Sequence, residues 1–157
     1  MNDFQHIFYN LDPAQVALER KNIPFKDHPL LELVTEFAYA KVILLEREVG
    51  GRYLYLSQAD LLGFMLGLEQ MARDIKSTPE KEWHLQSMYQ LYSLKGRLVK
   101  EELIIEDTYN GAEVRFKLSY YRSMITRVKK RIWKELLLLY PEMRENPDFG
   151  KVEDLFY

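Results

Sequence analysis

The sequence predicts an α+β protein in which an antiparallel sheet, formed by two β-hairpins, carries two long amphipathic helices on one face. Two stretches alternate apolar and polar residues around a turn signal, as β-hairpins do. Each is followed by a stretch whose apolar residues recur every three to four positions, as in an amphipathic helix. Hairpins followed by helices in this order are typical of a two-layer α+β sandwich. A short N-terminal helix completes the predicted fold.

The length of 157 residues suits one domain. Shifts in composition and periodicity divide it into four parts: an N-terminal helix and connector (1–35), a hairpin-helix unit (36–76), a second unit with a strand, a hairpin and a helix (77–140), and a tail (141–157).

The N-terminal helix is predicted over 13–21. Asp12 offers a capping side chain, Pro13 suits the first helical position, and Gln15 suits the third. Two further prolines follow the helix, and residues that precede proline avoid the helical conformation. The segment 22–35 is therefore a connector.

The first hairpin is centred on Gly50 and Gly51, with β-forming residues on both sides. A two-residue turn at these glycines would place Leu45 opposite Leu56. The expected pairing is apolar, as the buried face of a sheet requires.

A strong amphipathic helix is predicted over 58–76, with Ser57 as its N-cap. Its apolar residues follow helical spacing: Leu61, Phe64, Met65, Leu68, Met71, Ala72 and Ile75. Gly63 and Gly67 lie four positions apart on one side of this helix. Two interior glycines cost a helix about 2 kcal/mol relative to alanine, so we expect a close packing contact there, within the chain or with a second copy.

The second unit is centred on Asn110 and Gly111, a dipeptide that favours a type I′ hairpin turn. Pairing outward from this turn places Ile105 opposite Phe116. The earlier segment 83–92 fits both a strand and a helix, and its alternation favours the strand.

A second long helix is predicted to begin after Ser119 and to end at Tyr140, before Pro141. Its apolar residues again follow helical spacing: Tyr121, Ile125, Val128, Ile132, Leu136 and Leu139. The tail contains Pro147 and Gly150 and is expected to be only partly ordered.

Motifs for catalysis and metal binding are missing from the sequence. Cysteine is absent, and the three histidines (His6, His28, His84) are far apart without a ligand at helical spacing. Neither a nucleophile elbow nor a glycine-rich phosphate loop occurs. We therefore expect no metal, no cofactor and no catalytic residues, which favours a protein without enzymatic activity.

Targeting and membrane signals are missing as well. The first residues lack the charged and apolar regions of a secretion signal, and no apolar run approaches the ~20 residues that span a bilayer. We expect a soluble cytoplasmic protein that does not use a membrane.

Positive charge is concentrated in one segment of the chain. The net charge is −2, but residues 115–134 contain eight basic and no acidic side chains. Four of them fall on one stripe of the second long helix, with Tyr121 and Trp133 close by in sequence: Arg127, Lys130, Arg131 and Lys134. This "basic stripe" would suit an anionic partner. Alternatively, it is a solvated helix face that pairs with Glu113, Glu135 or the acidic tail.

The aromatic content favours a binding protein. Tyrosine occurs 11 times and aromatic residues make up 13% of the chain, and such residues carry many interface hot spots. As a small α+β chain without cysteine or catalytic motifs, it resembles bacterial immunity and anti-defence proteins, which bind and occlude a partner. We therefore hypothesise a non-enzymatic protein-interaction function, with a homodimer as one form of it. The alternative is a nucleic-acid-binding domain that uses the basic stripe, and the third hypothesis is an enzyme whose site carries no recognised motif.

Overall fold

The structure is a computed structural model that describes residues 6–46 and 51–157. These residues form an α+β fold with two antiparallel sheets and two long helices, which confirms the predicted class. No described helix combines the length and the apolar character needed to cross a membrane.

The first half of the chain contains a three-stranded sheet in the order β1-β2-β3. Its elements are β1 (Ile7–Asn10), α1 (Pro13–Asn22), α2 (Leu30–Leu33), β2 (Tyr39–Leu45), β3 (Tyr53–Asp60) and α3 (Leu61–Ser77). The sequence analysis did not predict β1, because four residues are too few to establish a period of two.

The second half contains a four-stranded sheet in the order β4-β5-β6-β7. Its elements are β4 (Trp83–Gln86), β5 (Ser93–Val99), β6 (Glu102–Asp107), β7 (Glu113–Lys117), α4 (Leu118–Leu139), a 3-10 helix (Pro141–Glu145) and α5 (Phe149–Phe156). The ambiguous segment 83–92 is thus a short strand and a loop.

The two hairpins lie in separate sheets rather than in one. Side chains connect the facing edges: Arg52 pairs with Glu113 at 3.4 Å, and the Glu46 carboxylate accepts a hydrogen bond from the backbone N–H of Arg115 at 3.1 Å. Because this N–H is hydrogen-bonded to the Glu46 carboxylate, β7 does not pair with a strand of the first sheet at that position.

The N-terminal helix forms as predicted. The Asp12 carboxylate accepts a hydrogen bond from the N–H of Ala14 at 3.0 Å, and Pro13 occupies the first turn. The helix ends at Asn22, and α2 adds one helical turn to the connector that follows.

The register predicted for the first hairpin is wrong. Leu45 pairs with Tyr53 instead of Leu56, so the connection between the strands is longer than two residues. The observed register pairs Leu44 with Leu54, which buries both leucines on the core face. Gly50, half of the proposed turn, lies outside the described residues.

The register of the second hairpin is shifted by two residues. Ile105 pairs with Val114 instead of Phe116, because the connection spans 108–112 rather than two residues. Gly111 has a φ of 77°, whereas Asn110 does not have a positive φ, so the turn is not type I′. A shift of two preserves the side-chain alternation, and the predicted buried face is therefore correct.

Serine does not cap the long helices. Ser57 is an exposed residue within β3, and α3 begins four residues later, directly after Asp60. Ser119 lies inside the first turn of α4, where no side chain makes a capping hydrogen bond. Both helices follow their strands without a loop, so no residue is left to serve as a separate cap.

The core lies between the helices and one face of each sheet. The apolar residues predicted for α3 are all buried, and so are the corresponding residues of α4 up to Leu136. They pack with inward-facing strand residues such as Leu44, Leu54, Leu103 and Phe116 in one buried cluster. The opposite faces of the sheets bear the exposed strand residues.

The tail is ordered, contrary to the prediction. The ring of Trp133 on α4 stacks on Phe156 at 4.9 Å between ring centroids and on Phe149 at 5.7 Å. The indole N–H of Trp133 donates to Glu153 at 3.0 Å. The sequence analysis did not predict α5, because eight residues are too few to establish a helical spacing of apolar residues.

We predict that Phe156→Ala destabilises the protein by about 3 kcal/mol or more, since it removes a fully buried ring from its stack on Trp133. Leu155→Ala is the matched control, because Leu155 is 40% exposed; it should cost under about 1 kcal/mol. Urea unfolding measures both. Equal costs for the two variants would show that α5 does not pack on α4.

Candidate binding surfaces

The basic stripe lies on the solvent-facing side of α4. Arg127, Lys130 and Lys134 are exposed and Arg131 is half-buried. The guanidinium of Arg127 donates to the hydroxyl of Ser123 at 2.5 Å. That of Arg131 lies 5.6 Å from the ring centre of Tyr9, on β1. The structure therefore brings the four predicted cations together on one surface.

Several of the acids that could have paired with the stripe contact other residues. Glu135 accepts a hydrogen bond from the Tyr9 hydroxyl, and burial together with this bond raises the pKa of Tyr9 to about 12. In the tail, Glu142 pairs with Arg20 at 2.5 Å and Glu145 with Lys26 at 3.3 Å.

Glu113, the remaining proposed partner, is bound by arginines of the sheets, Arg52, Arg97 and Arg115. Across residues 6–46 and 51–157, Lys130 and Lys134 make no ion pair. The structure thus does not pair these two lysines with the acids that sequence reasoning proposed.

Tyr121 and Trp133 do not belong to the surface of the stripe. Both side chains are fully buried. The Tyr121 hydroxyl donates to the backbone carbonyl of Leu68 on α3 at 2.9 Å, while Trp133 packs under α5. They point into the core because they lie on the apolar side of α4, so the stripe has no exposed aromatic partner in these two residues.

The glycines of α3 make room for side chains of the same chain. A Cβ on Gly67 would lie 2.4 Å from a methyl carbon of Leu85 on β4. A Cβ on Gly63 would lie 2.0 Å from a carboxylate oxygen of Asp60. The expected close contact is therefore intramolecular, and side chains rather than a neighbouring backbone make it.

An exposed apolar row crosses the first sheet on the side away from the helices. Phe8, Ile43 and Tyr55 are direct neighbours on β1, β2 and β3. Their exposed fractions are 44%, 36% and 46%, and Tyr53 beside them is 58% exposed. We call these four residues the "aromatic sheet face". Sequence reasoning missed this surface because its residues come from three separate strands.

A groove and a cluster of arginines border the aromatic sheet face. The groove has a volume of about 460 Å³ and lies between Tyr53, Tyr55 and the β6–β7 connection. At its end, the Glu113 carboxylate contacts the guanidinium groups of Arg52, Arg97 and Arg115 at 3.2–3.4 Å. The Glu46 carboxylate also pairs with Arg52, at 3.0 Å. Three guanidinium groups thus face two carboxylates, which leaves this "arginine cluster" with one excess positive charge.

Asp60 is a buried carboxyl group at the start of α3. Burial raises its pKa to about 6, although a hydrogen bond from the Tyr92 hydroxyl at 3.5 Å opposes that shift. Glu36 is the acidic side chain that adds to the increase. Burial and the Asp60 charge also raise the pKa of Tyr92 well above its ordinary range. Asp60 is 5% exposed.

A metal centre is not formed by the side chains that the structure describes, since no three of His, Asp or Glu converge there. Comparisons with protein-family models, with curated proteins and with solved structures found no match to this chain. The geometry of its own surfaces must therefore support any functional assignment.

We predict that Gly67→Ala destabilises the protein by about 1 kcal/mol, because the new methyl group must displace Leu85. In a Leu85→Ala background, the space is free and the same change should instead stabilise by up to about 1 kcal/mol, the helix propensity of alanine. Thermal unfolding of the four proteins measures this cycle. A change of equal sign in both backgrounds would contradict the packing contact.

We predict that stability falls as the pH rises from about 4 to about 6, because folding raises the Asp60 pKa from 3.8 to about 6. In this interval, the folded state retains a proton that the unfolded state has lost. Asp60→Asn should make the free energy of unfolding less dependent on pH in that interval, and it should stabilise the protein at neutral pH. Denaturant titrations at several pH values measure this, and an unchanged profile would contradict it.

Proposed function

We propose that this protein is a non-enzymatic binding module that recognises a protein partner through the aromatic sheet face. The observation that carries the proposal is the row of Phe8, Ile43 and Tyr55, in register on three strands and open to water. Contiguous exposed apolar surface of this kind typically marks an interaction site.

The composition of the surface supports a protein ligand. Aromatic and arginine side chains are enriched among interface hot spots, and here Tyr53 and Tyr55 lie beside Arg52. Strand pairing fixes the backbone of these aromatic residues, so little conformational entropy is lost when a partner binds. The groove next to Tyr53 and Tyr55 gives the partner a concave region to fill.

Charge complementarity defines the partner further. Lys41 lies on the same face of β2 as Ile43, and the arginine cluster lies on the other side of β3. The partner that fits is a folded protein with an apolar patch flanked by carboxylates. Glu113 orients the three arginines before binding, and opposite charges at such a rim accelerate association.

Occlusion is the mode of action that we propose. A sheet face covers a partner surface without needing chemistry of its own, as in the immunity and anti-defence proteins that the sequence resembles. Binding there would block whatever site the partner presents to it.

The test is a photo-reactive amino acid introduced at Tyr55, with Leu138 as the matched control because it is 83% exposed on α4. We expect the Tyr55 probe to cross-link one protein in the native host and the Leu138 probe not to. With that partner purified, Phe8→Ser with Tyr55→Ser should weaken binding about 100-fold or more, the effect of losing two hot spots.

Three results would contradict the proposal. The first is that the Tyr55 and Leu138 probes cross-link the same protein alike. The second is that the double variant binds the partner as tightly as the wild type does. The third is that the wild-type protein has the solution mass of two chains and cross-links form only between its copies. The last result would assign the aromatic sheet face to a homodimer instead.

A further inference from the structure

We propose that the basic stripe is a second binding surface, which takes the phosphodiester backbone of a nucleic acid and reads no sequence. It lies on the helical layer, so it goes beyond the proposed function of the sheet face. The surface consists of Arg127, Lys130, Arg131 and Lys134.

Two of the four cations, Lys130 and Lys134, are not paired with an acid of the described residues. Glu142 and Glu145 pair with Arg20 and Lys26. Lys129, also on α4, is removed from the surface by its buried pair with Glu69 at 2.6 Å.

The spacing of the stripe fits a regular polyanion. Arg127 and Lys134 are seven residues apart, so the charges extend over about 10 Å of a rigid helix. One nucleic-acid strand carries a phosphate every ~3.4 Å of duplex axis, so about three phosphates of that strand lie opposite the four cations. The helix is held on its buried side by Tyr121 and Trp133, which keeps this spacing fixed.

A polar groove extends the surface toward α3. It has a volume of about 340 Å³, and its polar lining residues are Arg73, Arg122, Ser123, Thr126 and Glu69. The Glu69 carboxylate is paired with Arg73 and Lys129. Arg122 is exposed and makes no side-chain ion pair within the described chain. Hydroxyl and guanidinium groups are the usual donors to phosphate oxygens.

The chemistry of the surface favours nucleic acid over other anionic partners. The core of a protein interface is typically apolar, and an amphipathic helix that lies in a membrane inserts a free apolar side. The apolar side of α4 is buried in the core, and Leu138 is the exposed apolar residue at the end of the stripe. Phosphate neutralisation requires neither feature, and with Tyr121 and Trp133 buried, those rings cannot contact bases.

The test measures binding of fluorescent oligonucleotides, duplex and single-stranded, of about 20 nucleotides and across a series of salt concentrations. We expect the logarithm of duplex affinity to fall with the logarithm of salt concentration at a slope near −2.7, about −0.9 for each of three phosphates. Scrambling the sequence should leave affinity unchanged. Single strands should give a slope near −2.1, about −0.7 for each of three phosphates.

Two variants locate the site. Replacing all four stripe residues by glutamine should reduce affinity about tenfold or more at low salt. Replacing only Lys130 and Lys134 should make the duplex slope shallower by about 1.8, since two phosphate contacts are lost. The matched control changes four exposed lysines off the stripe (Lys21, Lys76, Lys100, Lys151) to glutamine, with the same change in net charge, and should bind as wild type does. Circular dichroism confirms that each variant is folded.

Several results would overturn the proposal. The first is that the wild-type protein binds no oligonucleotide at low salt. The second is that the control variant loses as much oligonucleotide affinity as the stripe variant. The third is that the protein binds polyglutamate, or vesicles containing anionic lipid, as tightly as it binds the oligonucleotide. The variant Phe8→Ser with Tyr55→Ser must retain oligonucleotide binding. This last measurement separates a failure of the stripe from a failure of the aromatic sheet face.

Discussion

The packing of α3 against α4 is the constraint on which the rest of this structure depends. Two buried polar contacts join the helices: the Lys129 ammonium pairs with Glu69, and the Tyr121 hydroxyl donates to the backbone of Leu68. Breaking either would leave a buried polar group without its partner, which is costly. Together, the helices cover the inner faces of both sheets.

As a consequence of this packing, both candidate binding surfaces lie outside the buried core. The helices cover one face of the first sheet, so Phe8, Ile43 and Tyr55 remain on the other. The apolar side of α4 is buried by the same packing, which leaves its cations in water. Arg131 of the basic stripe lies over Tyr9, which follows Phe8 of the aromatic sheet face on β1.

Predictions from the sequence succeeded wherever a local period was long enough to be read. The spacing of Leu61, Phe64 and Leu68 predicts the buried side of α3, and all three are buried. Strand pairing was less predictable, because register depends on the length of the connection. The Gly50–Gly51 and Asn110–Gly111 turns were both assumed to have two residues, and the observed registers differ from that assumption.

The sequence by itself determined the α+β class, the two amphipathic helices and the position of the basic stripe, since each is encoded by neighbouring residues. Only the tertiary structure decided that Trp133 is buried under α5, that Glu142 pairs with Arg20, and that Phe8 adjoins Tyr55 across Ile43. These contacts join residues far apart in the chain. Periodicity reports the orientation of a side chain within its own element, whereas long-range packing selects the partner that it meets.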